Sequence, residues 1–250
     1  MFRAIAAFLE SFAVACFALT TLAVAVAERQ APSPAPGLAT LDALMPGAGG
    51  ASIPQVPMGL VAQPVNGALW SLLWLAIASG FAHVAVRLCR RFRGPPRIMV
   101  TVGLLAAALA PWIVYRSQVI GLSIGVLGIL ALVQGLFDDT AAEGDEDWGL
   151  VPLGVLTAWV LLSILGATGV TLQGWLGLDP QRAALLMLLG VSLAGARIQL
   201  SLGRNIAFSL TLIWAMIGIA AAALGGSMTV ATACVLGISS LAVVIVRVTT

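Results

Sequence analysis

The chain has 250 residues, of which 60% are hydrophobic and only 9% are charged. About a quarter of the residues in an average soluble domain are charged, so this composition excludes a water-soluble fold. The mean hydropathy of +1.07 is spread over many segments, as in a multi-pass membrane protein. A net charge of +2 is also too small for a nucleic-acid footprint. We therefore expect an integral membrane protein with lipid neighbours and no nucleic-acid partner.

Apolar runs long enough to cross a bilayer occur eight times between polar breaks. They lie near residues 4–27, 68–88, 98–115, 118–137, 150–171, 182–200, 205–223 and 228–247. The first run resembles a signal peptide, with Arg3 before it and Ala25–Ala27 at its end, but it is longer than a usual signal core and is interpreted as a retained span. Only Arg116 and Ser117 separate the third and fourth runs, which predicts a tight antiparallel hairpin. The predicted fold class is all-α, a polytopic transmembrane bundle of about eight spans.

The positions of the arginines predict the orientation, because short cytoplasmic loops collect basic residues. All twelve basic residues are Arg, a bias that together with abundant Ala and Gly is typical of a GC-rich bacterium. With the N-terminus in the cytoplasm, nine arginines fall on the cytoplasmic side: Arg3, Arg87, Arg90, Arg91, Arg93, Arg97, Arg197, Arg204 and Arg247. The sequence thus predicts a multi-pass protein of the bacterial inner membrane with both termini in the cytoplasm.

Two connecting segments have unusual compositions. Residues 28–67 are rich in Pro and Gly, nearly uncharged and partly apolar, so we expect them to cover the exported mouth of the bundle, with a wandering linker as the alternative. The segment from Asp138 to Trp148 holds six of the ten acidic residues. It lacks the ligand spacing of an EF-hand and is interpreted as a solvated loop, so no metal site is predicted.

Glu10 and His83 are the ionisable residues that lie well inside predicted spans, where charge is costly and usually functional. Glu10 is expected to reach the interface or meet an Arg, with a proton-linked or ligand role as the alternative. For His83 we expect an interhelical hydrogen bond or an interfacial position, and ligation of a haem or chlorophyll metal is the alternative. The sequence has a single His and no pair of carboxylates within the membrane, so it offers neither a nucleophile–His arrangement nor an acid–base pair. No catalytic residues are therefore predicted, and the protein is not expected to be an enzyme.

The tryptophans and small residues carry the remaining signals. Trp70, Trp112, Trp148 and Trp175 suit an interfacial aromatic belt, the last two in loops, whereas Trp159 and Trp214 lie deep within their spans and are expected to face the interior or a ligand. Small residues four positions apart predict close helix packing at Gly121 with Gly125 and at Gly190 with Ala194.

Four stretches resemble the longer bacterial members of the TspO/MBR family, the tryptophan-rich sensory or translocator proteins. They are ALWSLLWLAIASGF (68–81), ALAPWIVYRSQVIGLSIGVLGILALV (108–133), VPLGVLTAWVLLSILGA (151–167) and RNIAFSLTLIWAMIGIA (204–220). The third is similar to the family in the spacing from Pro152 to Trp159. The resemblance implies a five-helix core over residues 1–171, including the exported loop 28–67, and a three-helix extension over residues 172–250.

The resemblance also implies a site. Members of this family bind tetrapyrroles, sterols or other lipids in a pocket lined by Trp and Asn, which implies that Trp74, Trp112 and Trp159 are pocket residues here, with His83 as a further candidate. Family Asn positions correspond to Leu109 and Ala167, so polar groups are missing from this pocket.

Two functions follow from this resemblance. In the first, the protein senses, carries or chaperones a hydrophobic ligand such as a porphyrin, bacteriochlorophyll, carotenoid or lipid. In the alternative, it is a non-catalytic accessory or assembly subunit of a larger respiratory or photosynthetic membrane complex.

Overall fold

The fold comes from a computed structural model, which describes residues 2–30, 66–89, 97–114, 116–143, 150–203, 205–224 and 227–250. In these ranges the chain forms eight α-helices and no strand. The helices are α1 Phe2–Gln30, α2 Gly67–Cys89, α3 Ile98–Val114, α4 Gln118–Glu143, α5 Leu150–Leu176, α6 Pro180–Leu202, α7 Ala207–Ala223 and α8 Met228–Thr249. Each helix lies on one of the eight apolar runs, so the prediction of an all-α polytopic bundle is confirmed.

Six of the described helices are long and apolar enough to cross a membrane. The other two, α3 and α7, are equally apolar but have 17 residues each, or about 26 Å at 1.5 Å per residue, a little short of a hydrocarbon core of about 30 Å. Two predicted boundaries are wrong. Helix α4 continues to Glu143, beyond the predicted loop start at Asp138, and α5 continues to Leu176, so Trp175 lies in a helix rather than a loop.

Local side-chain chemistry fixes several helix ends. Asn66 caps α2, because its Oδ1 accepts a hydrogen bond of 3.0 Å from the Leu69 N–H. Asp179 caps α6 in the same way through the Gln181 and Arg182 N–H groups, directly before Pro180. At the other end of α6, Gly203 has a φ of 61°, a conformation that a side chain would strain.

The helices pack around α5, which contacts α2, α4, α6 and α7. On one side of it, α3 and α4 form the predicted tight hairpin, whose turn is closed by hydrogen bonds from the Arg116 and Ser117 N–H groups to the Ile113 carbonyl. Helix α1 packs on α2 and α3 at the edge of this group. On the other side, α6, α7 and α8 pack on one another, and α7 also contacts α2.

The predicted small-residue contacts are half right. Gly121 lies directly against Val114 across the hairpin, and a Cβ on Gly125 would be 3.1 Å from Ile164 of α5. A Cβ on Gly190, by contrast, would have its nearest neighbour, the Leu165 side chain, 4.0 Å away. The close approach on α6 is made by Gly195, where a Cβ would be 2.6 Å from Leu212 of α7.

Three predictions are not decided by this fold. Most of the proposed cover over residues 28–67, namely residues 31–65, and the part of the acidic segment from residue 144 to residue 148 lie outside the described residues. The division into a core over residues 1–171 and an extension over residues 172–250 stays a prediction.

Candidate ligand cavity

A cavity of about 250 Å³ lies between α1, α3, α4 and α5, next to the turn that joins α3 to α4. We call this side of the molecule the hairpin end. The cavity wall is mostly apolar: Phe17 and Val24 from α1, Pro111 and Val114 from α3, Leu122 from α4, and Ile164 from α5 are typical of it. No residue of the described part of the chain that lines it is charged. Such a site suits an uncharged, largely apolar guest.

A few polar groups interrupt the apolar wall. Thr20 and Thr21 line it on α1, and Ser163 lines it on α5. The Ser163 hydroxyl already donates a hydrogen bond of 2.9 Å to the Trp159 carbonyl. The Ala107 carbonyl would normally accept a hydrogen bond from the N–H four residues later in α3. That residue is Pro111, which has no N–H. Polar recognition in the cavity is therefore confined to a few neutral groups.

The tryptophans predicted to line a pocket lie at different depths. Trp159 lines the cavity with only 2% of its surface exposed, so the expectation that it faces the interior is confirmed. Trp112 is 53% exposed, and its Nε1–H donates a hydrogen bond of 3.2 Å to Thr20 Oγ1, a cavity residue. Trp74 is also 53% exposed and does not line the cavity, although its neighbour Leu73 does. Trp214 is 48% exposed, so its predicted interior position is wrong.

The two positions that the resemblance aligns with Asn also differ from each other. Ala167 lines the cavity, so the missing amide there removes a polar group from the site itself. Leu109 is 53% exposed on the outside of α3. Only the change at Ala167 bears on the chemistry of the cavity wall.

Glu10, His83 and Arg87 form a second polar feature, a buried ionic cluster between α1 and α2. His83 Nε2 lies 2.7 Å from Glu10 Oε1, and Arg87 Nη2 donates to Glu10 Oε2 at 3.4 Å. None of the three residues is more than 6% exposed. Arg97, just before α3, also attracts the Glu10 carboxylate. The expectation that Glu10 meets an Arg and that His83 makes an interhelical hydrogen bond is confirmed.

The ionic cluster is separate from the cavity. Glu10 precedes Phe17, the first cavity residue of α1, by about two helical turns or 10 Å. His83 does not line the cavity, and its Nε2 is engaged by Glu10, while its Nδ1 has no hydrogen-bond partner in the described part of the chain. The cluster therefore ties α1 to α2 rather than forming part of the cavity wall.

A third polar group was not predicted. Gln199 is fully buried near the end of α6, where its Nε2 donates to the carbonyls of Gly203 and Asn205 at 2.9 and 3.2 Å. The Ser209 hydroxyl donates to Gln199 Oε1 at 2.6 Å. These bonds satisfy backbone groups at the α6–α7 turn, so a structural role explains them. A buried Gln next to a Gly helix end was the signal that could have revealed it.

The comparisons with known proteins agree with this architecture. The family model described as TSPO-like protein matches residues 68–247, from the start of α2 to the last turn of α8 and well over half of the chain. Helix α1 precedes the matched residues. No curated protein and no solved structure matches. With its multi-pass helical bundle and this match, the chain belongs to the TSPO-like protein family.

Proposed function

We propose that this protein binds a hydrophobic ligand in the cavity at the hairpin end and serves as a sensor, carrier or chaperone for it in the bacterial inner membrane. The observation that supports the proposal is the apolar cavity of about 250 Å³ with Trp159 in its wall. The proposed activity is binding without chemical conversion. Candidate ligands are a tetrapyrrole, a carotenoid or another lipid.

The size of the cavity favours a narrow guest. A dry apolar cavity of about 150 Å³ already accepts benzene, whereas pockets for drug-sized ligands span about 300–1,000 Å³. At about 250 Å³, this cavity has room for one small ring system or a length of acyl or polyene chain. A whole tetrapyrrole would require α1 to move away from α3 and α5, so such a ligand would bind by one edge or after this movement.

The predicted orientation would give the ligand a defined side of the membrane. With the N-terminus in the cytoplasm, α1 would end and α2 would begin on the exported side. The hairpin end would lie on the same side. The cavity would then lie in the exported half of the bilayer. A ligand could enter it laterally from that leaflet.

The test is equilibrium binding to the full chain in lipid nanodiscs, with empty nanodiscs of the same lipid subtracted. Three probes are titrated separately: a porphyrin, a carotenoid and the small tricyclic hydrocarbon fluorene. At least one is expected to bind saturably. Ala167→Leu adds three carbon atoms inside the cavity and should weaken that binding at least tenfold. Ala78→Leu makes the same change on the exposed face of α2 and should leave binding unchanged.

Absence of saturable binding of all three probes would overturn the proposal, as would equal losses in both variants.

The alternative function as an accessory subunit draws support from the missing amide at Ala167, since a wall without it recognises fewer ligands. In that case the chain should co-purify with a respiratory or photosynthetic complex from native membranes.

A further inference from the structure

Thr20 and Thr21 are adjacent polar residues in the mostly apolar cavity wall, both on α1. We propose that this pair selects a neutral ligand carrying an oxygen atom that accepts hydrogen bonds, such as a ketone, quinone, ester or ether. The inference rests on the proposed function, since it concerns which hydrophobic ligand the cavity takes. Neither threonine lies in the residues matched by the family model.

The hydroxyls of this pair differ from most others in the helices. A Ser or Thr hydroxyl in a membrane helix usually donates to the carbonyl four residues earlier. Thr157, Ser163 and Thr168 do so on α5, at 2.8, 2.9 and 2.8 Å. Among the described residues, no acceptor takes the hydroxyl hydrogen of Thr20 or Thr21.

Trp112 determines how Thr20 can act. Its indole N–H donates to Thr20 Oγ1 at 3.2 Å, so one lone pair of that oxygen is already used. The hydroxyl hydrogen of Thr20 remains available to a guest. Thr21 adds a second hydroxyl at the next position on the same cavity wall. Either hydroxyl can donate its hydrogen to the carbonyl oxygen of a guest, whose two lone pairs accept up to two such bonds.

The surroundings favour a neutral acceptor over a carboxylate. Transfer of an ionised carboxylate into an apolar site without a cation is far more costly than transfer of a ketone or ester. Among the described residues, none that lines the cavity is charged: Arg116 lies in the turn at the hairpin end but not in the wall, and the Arg87 guanidinium is engaged with Glu10 near the other end of α1. An anionic group on a ligand would therefore have to remain outside the cavity.

A pair of probes of nearly equal shape isolates the oxygen atom. Fluorenone carries a carbonyl where fluorene carries a methylene group, and fluorene-9-carboxylate supplies the anion. Each is measured by equilibrium dialysis against the full chain in nanodiscs, with its own partitioning into empty nanodiscs subtracted. We expect fluorenone to bind at least about fivefold more tightly than fluorene, the difference that one net hydrogen bond supplies, and the carboxylate to bind most weakly.

Thr21→Val and the double change Thr20→Val with Thr21→Val replace hydroxyls by methyl groups of similar size. The double variant should lose the preference for fluorenone and keep the affinity for fluorene, which also reports that the cavity is intact. Thr232→Val is the matched control, because this exposed threonine of α8 donates its hydroxyl to the Met228 carbonyl, away from the cavity.

The outcomes separate the two proposals. Equal binding of fluorene and fluorenone to the unmodified protein, or a preference that survives the double substitution, would overturn the inference and leave the cavity as a ligand site. If fluorenone did not bind saturably while the porphyrin or the carotenoid did, the inference would be overturned and the proposed function would stand. Absence of saturable binding of every probe to the unmodified protein would overturn the proposed function itself.

Discussion

Helix α3 packs in different ways on its two sides. On the side of α4, the two helices approach closely at glycines. A Cβ on Gly103 of α3 would be 2.6 Å from Leu132 of α4, and a Cβ on Gly135 of α4 would be 2.7 Å from Val100 of α3. Toward α1 the helices separate near the hairpin end and enclose the cavity of about 250 Å³. Helix α3 thus packs tightly against α4 on one side and lines the cavity on the other.

The difference shows which side of the cavity is rigid. The α3–α4 hairpin is fixed by backbone proximity and has no room for rearrangement. Helix α1 buries Phe17 and small side chains such as Ala13 and Ala18, and among the described residues its polar side-chain contacts with other helices are the ionic cluster at Glu10 and the bond between Trp112 and Thr20. We infer that α1 is the adjustable wall. Changes in its polar contacts should therefore affect the cavity more than changes in distant helices.

The largest effect is expected from Glu10→Ala. The substitution leaves His83 and Arg87 buried opposite an alanine, and loss of one partner from a buried charged group costs about 3 kcal/mol or more. Thermal unfolding in detergent should show this loss, and the half-buried Cys16 of α1 should react faster with a membrane-permeant maleimide. Glu10→Gln keeps an acceptor for His83 and should lose less.

Asp138→Ala on α4 is the control for Glu10→Ala. This exposed carboxylate accepts a hydrogen bond of 2.8 Å from Gln134 of the same helix, a contact that contributes little. If the two alanine variants unfolded at the same temperature with the same Cys16 reactivity, the ionic cluster would not be what holds α1.

The next effect is expected in the filled interface, from Gly103→Ala. Its added methyl group would lie 2.9 Å from the Gly128 carbonyl oxygen as well as against Leu132, so the hairpin must separate at a cost of about 1–3 kcal/mol. Gly190→Ala adds the same atom with no neighbour closer than 4.0 Å and should be neutral or slightly stabilising, by up to about 1 kcal/mol from helix propensity. Thermal unfolding of the two variants compares them directly, and equal destabilisation would contradict the close packing of the hairpin.

The helices could be predicted from the sequence because each apolar run has to satisfy its backbone within the bilayer. The hairpin followed from the two-residue break at Arg116 and Ser117. Depth within a span predicted the buried position of Trp159 but failed for Trp214, since depth does not say which face of a helix points to lipid. The rotation of a helix depends on its neighbours, and hydropathy alone does not encode it.

The cavity and the ionic cluster could be predicted only in part. Glu10 and His83 stood out individually, but 73 residues separate them and no local pattern joins them. The resemblance pointed to Trp159 and position 167, which line the cavity, but also to Trp74, Trp112 and Leu109, which do not. It placed the first span in the five-helix core but named no residue of α1, which supplies Thr20 and Thr21 to the wall.

The smallest effect is expected from Trp112→Phe, which keeps an aromatic ring but removes the donor to Thr20. The bond is half-exposed, so stability should fall by only about 0.5–1 kcal/mol. Thr20 would be free to turn, and dissociation of fluorenone, followed by dilution into empty nanodiscs, should accelerate about two- to threefold.

Trp214→Phe is the matched control, since Trp214 is 48% exposed and its Nε1–H donates to the Ala68 carbonyl at 3.1 Å, away from the cavity. It should lose similar stability and release the probe at the unmodified rate, because the bond at Trp214 orients no cavity hydroxyl. Equal acceleration in both variants would mean that general loosening of the bundle controls ligand release.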